Sequence, residues 1–262
     1  MNALFFGILI VYFAASVLQF AASVFKREAL GRLAWALFLA GLAAHTVFLV
    51  LRGLAAHRLP LSNQFEFSAA FSWGISVMLC VARLRYRAEW LSVAVMPMAF
   101  LVLSYAALQP MEITELMPAL RSSWFAFHIG SAVFSYSSFM LAGGAGLRYV
   151  VLSGRQDTDE LKLHQMDYLA YRLIALGFLL LTVTILTGAI WAEQAWSSFW
   201  TWDPKEVWAL ITWILYAVYL HLRLRAKRSG VKMAWYAIIA VPVVLFTFAG
   251  VNMLMPGLHS YG

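Results

Sequence analysis

Cysteine is nearly absent from this chain, and charge is scarce. The only cysteine, Cys80, lies in an apolar run. That excludes a disulfide framework, a Cys-x-x-Cys redox pair and a cysteine zinc site, so any thiol chemistry has to use a partner's thiols. Charged residues make up 12% of the sequence against 63% hydrophobic, a balance foreign to a soluble enzyme. No linker or low-complexity stretch interrupts the 262 residues, and none of the connections between apolar runs is long enough to bury a separate soluble core. The first apolar run, Asn2 to Phe25, has no Lys or Arg before it and has Lys26 and Arg27 after it. This reverses the charge order of a signal peptide, and the run is expected to be an uncleaved span.

What is present instead is a series of apolar runs, each about 20 residues long, the pattern of a polytopic helical membrane protein. The expected fold is all-α: a membrane helix bundle of about eight transmembrane helices, roughly 3–25, 33–51, 67–84, 90–109, 123–151, 173–192, 207–224 and 233–255, forming a single membrane domain over 1–262. The net charge of +7 is no pointer to nucleic acid, because the basic residues sit at span ends. Alternate connections hold Lys26, Arg27 and Arg32; Arg83, Arg85 and Arg87; Arg148, Arg155, Lys162 and Arg172; and Arg223, Arg225, Lys227, Arg228 and Lys232. Only Arg52, Arg58, Arg121 and Lys205 of the 19 remain for the other side. By the positive-inside rule the rich connections face the cytoplasm and both termini are extracytoplasmic.

Six of the eleven tryptophans fall in one segment, WAEQAWSSFWTWDPKEVWALITW at 191–213. An interfacial aromatic belt accounts for one or two of them, but a cluster this dense, with Trp196, Trp200 and Trp202 expected between spans, suits a flat platform for a large planar ligand such as haem. Within it Asp203-Pro204-Lys205-Glu206 has the form of a capping box opening span seven. The same helix start, with Lys205 beside it, also attracts anions such as haem propionates.

The charge-derived topology puts His128, at the start of span five, and His259, after span eight, on the tryptophans' side. His128 continues into Ser131, Ser135, Ser138 and Ala142 at helical spacing, a small-residue stripe suited to helix packing. Alone it reads as a hydrogen-bonded core histidine; with His259 and the tryptophans on one surface, the pair reads as iron ligands. His221 lies near the inner end of span seven, about 13 residues or roughly 20 Å of helix beyond Trp208. Two readings stand for it: a second, intramembrane site, or a residue snorkelling beside Arg223 and Arg225. His45 reads as structural, and His57 and His164 as solvated loop residues.

At these residues the sequence resembles the CcsA/ResC family, the membrane subunit of the system II cytochrome c synthase and haem exporter. The resemblance rests on GAIWAEQAWSSFWTWDPKEVWALITWILYAVYLHLR at 188–223, PALRSSWFAFH at 118–128, PLSNQFEF at 60–67 and GVNMLMPGLHSYG at 250–262. The haem-handling segment falls at 188–213, and the first two spans carry little signature.

The resemblance implies haem b as substrate and bound ligand, with His128 and His259 as axial ligands of an outer haem and His221 as a ligand of an intramembrane haem. Trp191, Trp196, Trp200, Trp202, Asp203, Lys205 and Trp208 would form the platform. It implies a ResB/CcsB-type membrane partner, an apocytochrome c bearing Cys-x-x-Cys-His, a thioredoxin-like thiol reductant, and a bacterial inner membrane or thylakoid location. The implied activity is of the holocytochrome c synthase (haem lyase) type, by presentation of haem for thioether formation without a nucleophile from this chain. A haem carrier serving a chaperone without synthase activity and a non-catalytic regulator of haem metabolism remain alternatives.

Overall fold

A computed structural model describes residues 1–155 and 159–255. The described residues are helical with short connections, and eight helices are long and apolar enough to cross a membrane. The chain divides into two compact units, Met1–Glu115 and Leu116–Gly262.

The first unit holds α1 (Asn2–Phe25), α2 (Glu28–Ala56), α3 (Gln64–Tyr86) and α4 (Ser92–Ala107), the last preceded by a 3-10 turn at Glu89–Leu91. Helix α3 is the most enclosed, with Ser68, Ser72 and Ser76 all buried. Each hydroxyl is satisfied where water is excluded: Ser72 Oγ donates to the Ala99 carbonyl of α4 at 2.8 Å, and Ser68 and Ser76 donate to carbonyls one turn back. His45 is buried with Nδ1 3.3 Å from the Tyr12 hydroxyl, the structural position expected of it. His57 closes α2 in the left-handed region, φ 52°.

The 60–67 motif acts as a helix start and a knot. Asn63 caps α3 by accepting from the Glu66 N–H at 2.9 Å. The Glu66 carboxylate, fully buried, accepts from Arg52 Nε at 2.9 Å, from Arg58 at 2.7 Å, and from the Ser62 N–H and hydroxyl. The two guanidinium groups then reach the carbonyls of Met111, Glu112 and Thr114, tying the connection after α4 to the α2–α3 turn.

The second unit holds α5 (Ser123–Ser153), α6 (Glu160–Trp196), α7 (Pro204–Leu224), α8 (Val231–Leu245), a π-helical turn at Phe246–Gly250, and α9 (Val251–Leu254). The expected small-residue stripe of α5 lies against α6: Ser131 meets Thr184 Oγ1 at 2.9 Å and Ser135 donates to the Gly177 carbonyl at 2.8 Å. Gly143 and Gly146 leave no room for a Cβ against Val241 and Ala234 of α8. Close approach of this kind replaces the hydrophobic drive that lipid cannot supply. At the basic end, Arg223 donates to Asp167 at 2.5 Å and Gly230 N–H to the same carboxylate at 3.1 Å.

Helix ends depart from hydropathy where polar residues continue a helix. Helix α6 begins at Glu160, not near 173, because Asp159 caps it by accepting from Leu161 N–H at 2.9 Å. His164 is therefore an exposed helix residue, not a loop residue. At its other end α6 runs through Trp196, which ends the helix instead of lying in the connection.

Candidate functional site

Helix α5 opens at Ser122, whose hydroxyl oxygen accepts from Trp124 N–H at 3.2 Å and donates to Gln194 Oε1 of α6 at 2.7 Å. His128 follows on the α6 side, partly buried, with Nδ1 2.8 Å from the Thr184 carbonyl. A carbonyl oxygen can only accept, so Nδ1 carries the proton and the lone pair is on Nε2. Gly188 makes the approach possible: a Cβ there would lie 2.7 Å from Nδ1.

Trp191 stacks beside the imidazole, 5.9 Å between centroids and 23° between planes. It is 1% exposed. Its indole N–H donates to the Ala119 carbonyl at 2.7 Å, and its faces meet Phe125 and the edge of Trp196 at 5.1 and 4.8 Å. Trp191 thus backs the His128 ring, while Trp196 is half-open at the end of α6.

The connection after Trp196 turns at Ser197, φ 55°, and again at Trp202, φ 60°. Left-handed backbone is uncommon for a large side chain and needs support from its surroundings. Glu206 supplies it: its carboxylate accepts from Thr201 N–H at 2.8 Å and Asp203 N–H at 3.2 Å. Asp203, buried, accepts from Lys205 N–H at 2.9 Å, completing the capping box expected from sequence. The loop presents Trp202 with 71% of its surface exposed, edge-on to Trp200 at 5.8 Å. Trp208, one turn into α7, packs on Phe246 at 4.3 Å. The Lys205 ammonium donates to Asn252 Oδ1 at 2.6 Å.

His221 lies toward the other end of α7. It is exposed and continues the stripe of Ile211, Ile214 and Val218, which are 40%, 49% and 44% exposed. His259 lies outside the described residues. The structure therefore groups His128 with Trp191 and Trp196, pairs Trp200 with Trp202, and gathers Asp203, Lys205 and Glu206 at one helix start, with His221 separate. Sequence reading missed Thr184, Gly188 and Asn252. The first acts through its main chain and the second, although it opens the 188–223 motif, through a missing Cβ; neither role is announced by a side chain. Asn252 stands 47 residues from its partner.

These features define an integral membrane protein, with eight apolar helices among the described residues and a histidine fixed beside an aromatic segment at one helix start. A family profile described as cytochrome C assembly protein matches residues 61–259, and the chain belongs to that family. Over 83% of its length it is 35% identical to cytochrome c biogenesis protein CcsA of Prochlorococcus marinus (strain MIT 9313), spanning 80% of that protein. It is 33% identical to the CcsA of Guillardia theta over 83% of its length and 81% of the relative's. The Chlamydomonas reinhardtii CcsA is 34% identical over 82% of this chain and 64% of its own. Membership supports a role in cytochrome c biogenesis.

Proposed function

We propose that this chain moves haem b to the extracytoplasmic side of a bacterial inner membrane or thylakoid and presents it to apocytochrome c, as one subunit of a system II cytochrome c synthase. The observation that carries this reading is the His128–Thr184 bond. Fixing the proton on Nδ1 gives Nε2 the electronic state of an iron ligand, and a carbonyl placed behind the ring in this way orients ligating histidines and raises their basicity. It lies beside a tryptophan segment whose loop is fastened from within by Glu206.

In the proposed path haem first meets His221. An imidazole on an apolar, uncovered helix face inside a membrane is costly, which supports a covering helix from a ResB/CcsB-type partner supplying the second ligand. Haem then passes to the platform, where Trp196, Trp200 and Trp202 offer aromatic surface, Trp191 backs His128, and His128 and His259 take the two axial positions.

The incoming Cys-x-x-Cys-His segment brings its own histidine and two thiols. Each S–H adds across a vinyl C=C: sulfur bonds one carbon, the other gains the proton, and no net oxidation occurs. The thiols have to arrive reduced, hence the thioredoxin-like reductant. This chain contributes proximity and orientation.

Co-expression with a ResB-type partner and an apocytochrome tests the reading: covalent, acid-resistant haem on the cytochrome is expected. A Soret band on the purified protein without covalent product would leave a carrier, and no Soret band with or without the partner would leave a regulator.

A further inference from the structure

Lys205 is a partly buried cation at the mouth of α7. It makes no ion pair among the described residues; the Asp203 carboxylate beside it is turned onto the first helical N–H groups. Its ammonium bonds a neutral group instead, the Asn252 amide oxygen at 2.6 Å. Burying a charge whose hydrogen-bond partner is neutral is costly, and Asp203 offsets that cost only through space.

Asn252 is delivered by an irregular feature. The π-helical turn at Phe246–Gly250 inserts a residue into the helix, rotating the next turn, α9, by about 100° relative to a continuous α-helix. Gly250 permits it, since a Cβ there would lie 2.5 Å from the Phe246 ring, and that ring lies on Trp208. Thr247 meets Thr212 at 2.9 Å and donates to the Trp208 carbonyl at 3.3 Å. Such π turns recur at functional sites.

We propose that Lys205 and Asn252 form a carboxylate-recognition pair: the amide holds the ammonium in place without cancelling its charge, so that it receives a propionate of the porphyrin. Asn252 is then a positioning residue, and an aspartate there would defeat the site by pairing with the lysine itself. Charge-assisted bonds to a carboxylate are roughly twice as strong as neutral ones, so the pair selects the free acid. The inference rests on the haem platform proposed above.

The test compares titration of the purified protein, with its partner subunit, by haem and by haem dimethyl ester, whose propionates carry no charge, in detergent free of anionic lipid. The wild type is expected to bind the free acid at least about tenfold more tightly. Lys205→Met and Asn252→Asp should each remove that preference while leaving ester affinity within about twofold. Asn252→Asp creates an ion pair and so keeps the fold should Lys205→Met fail to assemble. Retained preference in both variants overturns the pair. Equal binding of both porphyrins by the wild type, with anionic lipid added in a separate titration binding the wild type and not Lys205→Met, assigns the ammonium to a lipid phosphate and also overturns it. A wild type that binds neither porphyrin sinks the haem platform itself, a different result from loss of selectivity.

Discussion

His128 Nδ1 lies 2.8 Å from the carbonyl oxygen of Thr184, fifty-six residues along the chain. That carbonyl also receives the Thr187 hydroxyl at 3.2 Å. The imidazole is thus held by an acceptor that cannot rotate away, because the carbonyl belongs to the α6 backbone. One main-chain atom sets the tautomer and, with it, the orientation of Nε2.

Replacing His128 by Ala removes the proposed axial ligand and leaves the tryptophan surface. Holocytochrome yield is expected to fall by more than the roughly hundredfold that outer-shell changes reach. Added imidazole should restore part of it by occupying the vacated position. Haem staining of the cytochrome with and without imidazole measures both effects. Undiminished yield would remove His128 from the ligand set.

Gly188→Ala tests orientation apart from ligand identity. The new Cβ would meet Nδ1 at 2.7 Å, forcing the ring off Thr184. Overpacking costs about 1–3 kcal/mol, against about 1 kcal/mol gained in helix propensity, a net loss of about 0–2 kcal/mol, so the thermal midpoint should fall by no more than about 8 °C. Haem affinity should nevertheless fall about 10–100-fold, and imidazole should raise the yield as it does for His128→Ala. A variant that is merely less stable would not respond to imidazole.

The helix content and the capping box at Asp203 were legible in the sequence because apolar length and the Asp-Pro-x-Glu spacing are local properties. The stripe below His128 was legible too, since small residues at helical spacing have to meet another helix. The roles of individual tryptophans were not. Trp191 and Trp202 stand in one run, yet the first is enclosed and the second open. The difference comes from the Ala119 carbonyl and from a left-handed turn fixed by Glu206. Hydropathy likewise missed the first turns of α6, whose Glu160, Lys162 and His164 are helical but polar.

Asp203 and Glu206 look equivalent in sequence and differ in load. Asp203→Asn keeps a side-chain acceptor at the cap and is expected to cost about 1 kcal/mol or less. Glu206→Ala strips two backbone N–H groups, on Thr201 and Asp203, of their acceptor, at about 1–3 kcal/mol for each group left buried. Hydrogen exchange should therefore accelerate at Thr201 and Asp203 in Glu206→Ala and stay near wild type in Asp203→Asn. Tryptophan emission should shift only in the former. Equal exchange in the two variants would show that the loop is held by other contacts.

Glu66 carries the largest expected stability effect, and it lies in the first unit, which holds none of the proposed ligands. Its carboxylate is fully buried between Arg52, 2% exposed, and Arg58, 10% exposed. Removing one partner of a buried ion pair leaves an uncompensated charge, which costs about 3–5 kcal/mol; here Glu66→Ala would strand two guanidinium groups at once. The same groups hold the carbonyls of Met111, Glu112 and Thr114, so the connection after α4 should lose its anchorage with them. Glu66→Gln keeps one acceptor oxygen, while the Asn63 cap, made to the backbone N–H of residue 66, survives in both variants; Gln is therefore expected to cost less than Ala while still weakening both arginine contacts. Membrane-inserted protein level and thermal unfolding in detergent should rank wild type, Gln, then Ala, with proteolysis appearing first at 108–117. Should Glu66→Ala unfold at the wild-type temperature, the 60–67 motif would have to act through something other than this buried knot.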